Sequence, residues 1–108
     1  MSGGVDQRRP TAEQALAEFT TRWLAALSCL RTTDKPQWKR TQEAMLSFKG
    51  LPLNNLPRKL QRRIDTHFGW INTILEPYTL QTWDDYQKIA AADLTRIAKI
   101  IDALGNAG

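Results

Sequence analysis

The chain has almost none of the residues on which metal and redox chemistry depend: Cys29 is its one cysteine and His67 its one histidine in 108 residues. A lone cysteine forms no internal disulfide, and the two together fall short of a structural zinc ligand set. No apolar run approaches the roughly 20 residues that cross a bilayer. Nucleophile-and-base pairs, catalytic carboxylate pairs and phosphate-cradling glycine loops are also missing. The expectation is a protein without enzymatic activity, metal or cofactor. The opening MSGGVDQRRP has no apolar stretch behind its basic pair, so it does not read as a secretory signal. It is expected to be a flexible arm (residues 1–10) ahead of one helical domain (11–108), and the location is expected to be cytoplasmic.

Acidic residues are scarce in the middle of the chain. Between residues 31 and 63, nine Lys or Arg face only Asp34 and Glu43, a balance of +7, whereas residues 76 to 108 sum to −2. Such asymmetry implies a surface that prefers partners of one charge.

Strand-like alternation is absent, and apolar residues recur instead at spacings of three and four, the helical period. The pattern predicts an all-α fold, a compact bundle of four helices over about 11–31, 34–49, 55–76 and 82–104. Thr11 with Gln14 makes a capping box for the first, whose stripe is Leu16, Phe19, Trp23, Ala26, Leu27 and Leu30. The second carries Trp38, Thr41, Met45 and Phe48 and stops at Gly50, a residue suited to the left-handed conformation after a helix end. Asn55 is the expected cap of the third, with Leu56, Leu60, Ile64, Phe68, Ile71 and Leu75 as its stripe and Pro77 beyond its end. Thr82 should cap the fourth, with the stripe Trp83, Tyr86, Ala90, Leu94, Ile97, Ile101 and Leu104.

The residues with chemical potential mostly read as structural. His67 projects into the middle of the third helix's apolar face at about 100° per residue, where a packed, hydrogen-bonded ring is expected. Asp84 and Asp85 are neighbours, so they diverge on a helix and suit its positive end. Gly69 stands inside a helix, where glycine costs about 0.5–1 kcal/mol relative to alanine; it is expected to mark the close approach of another helix or a bend.

Two surfaces remain as binding candidates. Arg58, Lys59, Arg62 and Arg63 form a basic patch on the third helix. With Lys35, Lys39 and Arg40 they would suit a nucleic-acid-binding regulator using the second and third helices. A helix-turn-helix connection is normally three or four residues, and six separate Lys49 from Leu56. The other candidate is a protein interface. Leu24, Leu46, Ile89 and Ile100 lie off their helical stripes, and Leu51 and Leu53 sit in the loop. Trp70 joins them as a candidate anchor. A domain this small has limited interior, so these residues are expected to cover a homodimer or partner interface.

Stretches such as TTRWLAALSCLRTTDKPQWKR and TWDDYQKIAAADLTRIAKIIDALG make the chain resemble the small quorum-sensing anti-activators, in length and helical character. The resemblance implies a non-enzymatic regulator that binds a LuxR-type transcription factor and keeps it from DNA.

Overall fold

In the computed structural model, residues 11–105 are described; the expected arm, residues 1–10, lies outside them. Among the described residues the fold is all-helical, with four α-helices and one short 3-10 helix. No helix there is long and apolar enough to cross a membrane.

Helix α1, Ala12–Arg31, starts at the expected capping box: Thr11 Oγ1 accepts from the Gln14 amide at 3.1 Å, and Gln14 Oε1 accepts from the Thr11 amide at 3.0 Å. Its buried side is Ala15, Phe19, Ala26 and Leu27. Leu16, placed on the stripe by its spacing, is exposed instead. Alanines take the innermost positions, which lets neighbouring helices come close.

Helix α2, Gln37–Leu46, is shorter than its apolar pattern suggested. Residues 33–35 form a bend before it, and 47–50 a turn after it. Gly50 takes a φ of +76°, the left-handed conformation expected of it. The chain then crosses to α3, Arg58–Leu75, on Leu51, Leu53 and Leu56, which all pack on the core.

Asn55 does not cap α3. Pro57 occupies the cap position and makes no side-chain cap bond. The pyrrolidine ring disfavours helical geometry at the residue before it, so Leu56 stays out of the helix. Gln61 reaches back and donates from Nε2 to the Leu56 carbonyl at 2.8 Å.

The fourth predicted helix is broken in two. Trp83–Lys88 is a 3-10 helix, Ile89 and Ala90 are extended, and α4 runs Ala91–Leu104. The break turns Ile89 inward: it is 5% exposed and shares a small cluster with Tyr86 and Leu94, against which Trp38, Met45, Tyr78 and Leu80 pack. A continuous helix would leave Ile89 beside the main stripe. The Asp85 carboxylate accepts from the amides of Gln81 (2.7 Å) and Thr82 (3.0 Å), and these bonds hold it below the usual carboxylate range. The α4 start is held by Tyr78, whose hydroxyl accepts from the Ala90 amide and donates to Asp93 Oδ2 at 2.6 Å.

Helix α4 is the hub, packing on α1, α2 and α3, while α2 also packs on α1 and on the 3-10 helix. No Cα of α2 comes within 8 Å of one in α3, so these two helices do not form a packed pair. The link is made by side chains beyond α2, where the Phe48 and Phe68 rings meet edge to face at 5.3 Å.

The last four carbonyls of any α-helix lack helical donors. Two of those in α4 are served from neighbouring helices. Trp23 Nε1 of α1 donates to the Ile101 carbonyl at 2.8 Å, and Arg63 Nη1 of α3 donates to that of Leu104 at 3.3 Å. The guanidinium also places positive charge at the negative end of the helix dipole.

Candidate protein-docking site

Helices α3 and α4 run antiparallel: Arg63 near the start of α3 meets the end of α4, and Tyr78 beyond α3 meets its start. Along one side of this pair lies an open groove of about 480 Å³, lined by Trp70, Thr73, Ile74, Arg96, Lys99 and Ile100. The apolar residues come from the edges of two buried stripes: Ile74 is almost covered, Ile100 half-buried, and Trp70 53% exposed.

Trp70 is oriented by the core beneath it. His67, one turn earlier, is buried, and its ring lies against the indole with centroids 4.8 Å apart. His67 Nδ1 stands 2.8 Å from the Arg63 carbonyl. A carbonyl only accepts, so Nδ1 carries the proton and the ring is fixed in place. This is the packed histidine that its position on the helix implied. The Trp70 indole N–H makes no hydrogen bond within the described residues, which leaves it available to a ligand.

The groove is positively charged. Lys99 is exposed at its edge, and Arg96 is exposed while holding Asp93 at 3.1 Å. An ion pair this open to water contributes little and is readily exchanged for another partner.

Of the residues proposed from the sequence, the structure brings only Trp70 and Ile100 together here. Leu24 is exposed on the outer side of α1. Leu46 is half-buried, and Leu51 and Leu53 are half-buried against the core, filling the space under the loop. Ile89 is buried by the helix break and presents no docking surface. Sequence reasoning missed Arg96 and Lys99 as part of the site, although Arg96 stands three residues before Lys99 and four before Ile100, spacings that put them along one flank of α4.

The basic patch divides in the same way. Arg58, Lys59 and Arg62 are exposed and make no ion pair among the described residues, whereas Arg63 is committed to the end of α4. On α2, Lys39 lies 5.7 Å from the Trp38 ring centroid, and Arg40 is half-buried with Nε unpartnered. Lys35, just before α2, holds Glu43 at 3.0 Å, and that hydrogen bond and charge raise its pKa.

Gly69 also departs from expectation. A Cβ built there meets nothing within 4 Å, whereas one on Gly105 would run into the Trp23 ring. The close approach belongs to the end of α4. Among the described residues, no three His, Cys, Asp or Glu side chains group as metal ligands. Compared with protein-family models, with curated proteins and with solved structures, the chain matches none.

Proposed function

We propose that the protein is a non-enzymatic cytoplasmic regulator that works by occupying the surface of another protein, a LuxR-type quorum-sensing transcription factor whose DNA binding it thereby prevents. The observation that carries the docking part of this reading is Trp70, 53% exposed beside Ile74 and Ile100 in a groove edged by Arg96 and Lys99. A partly exposed tryptophan over an apolar floor is the kind of residue that dominates binding energy at interfaces. The flanking cations favour an acidic partner surface and speed encounter. The partner class comes from the resemblance to small anti-activators.

The test uses the full chain with the host's LuxR-type regulators, purified with their autoinducers. A stoichiometric complex and loss of the regulator's DNA gel shift are expected, and Trp70→Ala should weaken both. No complex with any of them, and unchanged gel shifts, would overturn the proposal.

A nucleic-acid reading retains one favourable observation, the three exposed cations Arg58, Lys59 and Arg62. It lacks the helix-turn-helix geometry, because α2 and α3 do not pack together. A direct shift of DNA or RNA by this protein at low salt, abolished by replacing these three residues, would favour it over protein docking.

A further inference from the structure

The outer side of α1 is a second unpartnered surface, and its pattern differs from that of the groove. Leu16 is 43% exposed and Leu24 53% exposed, with Ala17, Thr20, Thr21 and Ser28 exposed around them. No charge interrupts this face. Glu18 and Arg22 pair with each other at 2.7 Å, and a projection of about 100° per residue puts both on another side of the helix.

Charge appears at the two ends of the face, with opposite sign. Glu13 is exposed in the first turn and Arg31 in the last. Neither has an ion-pair or hydrogen-bond partner within the described residues. They stand eighteen positions apart, which is five turns at 3.6 residues per turn. Both therefore lie on one line along the helix, and that line runs through the middle of the leucine-bearing face.

We infer that this face binds a second copy of the chain, with the two α1 helices packed antiparallel about a two-fold axis level with residue 22. A surface that meets its own copy across a two-fold axis must be complementary to itself, and this one is so in charge and in size. The antiparallel arrangement sets each Glu13 opposite Arg31 of the other copy, giving one interchain pair at each end. It also brings Leu24 level with Thr20 and Leu16 level with Ser28 of the other copy, so each leucine has a smaller side chain across from it. A parallel pairing would place Glu13 beside Glu13 and Arg31 beside Arg31. An unrelated partner would have no need of ends that match each other. The inference stands apart from the regulatory proposal, since the groove lies between α3 and α4 and this face is carried by α1, meeting α4 only at its Arg31 end, beside Lys99 and Asp102.

Sedimentation equilibrium of the full chain over a concentration series up to the sub-millimolar range tests it. A monomer–dimer equilibrium is expected. Leu24→Glu should raise the dimer dissociation constant by about tenfold or more, with helicity and Tm unchanged because Leu24 makes little contact within its own chain. Glu13→Arg and Arg31→Glu should each weaken the dimer at low salt, and the double exchange Glu13→Arg/Arg31→Glu should restore it. That restoration separates antiparallel pairing from any other. A monomer at every concentration, or a dimer indifferent to Leu24→Glu, or a double exchange no better than either single change, would overturn the inference.

Discussion

Two tryptophans flank α4, each associated with a glycine, and they have opposite fates. Trp23 lies between α1 and the end of α4, its indole N–H bound to the Ile101 carbonyl and its ring seated over Gly105, where a Cβ would overlap it. Trp70 lies on the α3 side, next to Gly69, with no bond for its indole N–H among the described residues and with open space around the glycine. One ring closes the structure and the other stays at its surface. Of these two rings, the one whose donor is satisfied inside the fold is the one that is covered, and the neighbouring glycine reports the same thing through the room around it.

Substitutions that exchange the character of the two sites test this contrast. The largest effect is expected at Gly105→Val: the added carbons must displace a hydrogen-bonded indole, an overpacking that costs about 2–3 kcal/mol. At about 4–8 °C per kcal/mol for a domain of this size, thermal unfolding by circular dichroism should show a drop on the order of 10–20 °C. An unchanged Tm would mean that Trp23 moves freely and that the closed site is not closed.

Trp70→Ala should act in the opposite register. It should change the Tm little but weaken partner binding by about 2 kcal/mol or more, as loss of an interface anchor does; calorimetric titration reads this directly. A large loss of stability with binding intact would make Trp70 a second closing residue and erase the contrast.

Trp23→Phe keeps an aromatic ring of smaller size and removes the donor, so a helix-end carbonyl loses its partner. About 1 kcal/mol of stability should be lost, measurable by urea unfolding. The smallest expected effect is a gain: Gly69→Ala should stabilise by about 0.5–1 kcal/mol, because the position is helical and open. If that change destabilised the protein, a neighbour would have to approach Gly69 after all.

Much of the helical framework was legible from local signals. The Thr11 and Gln14 capping box, the left-handed Gly50 and the placement of His67 in the packed face of α3 all appear as read. Each depends on residues within about one helical turn of one another, and such interactions act the same way whatever the rest of the chain does. The candidate site was half legible. Trp70 and Ile100 were identified, but their meeting in one groove with Arg96 and Lys99 depends on the antiparallel pairing of α3 with α4.

The misread features share a cause. Ile89 is buried because the chain breaks before α4 to build a second cluster with Tyr86 and Leu94, and no residue there signals a break as proline or glycine would. Arg63 leaves the basic patch because the carbonyl end of a helix 41 residues away takes its guanidinium. Gly105, not Gly69, carries the tight contact because Trp23 arrives there from 78 residues before its Ile101 acceptor.

The sequence by itself determined that the chain is helical, where α1 starts, where α1, α3 and α4 stop, and which side of α3 is apolar, since backbone capping and helical periodicity are short-range. Tertiary structure alone decided which tryptophan is covered, which cations stay free and which apolar residues remain on the surface. Those outcomes depend on where α4 sits among its neighbours, and packing between distant segments has no signature in the spacing along any one of them.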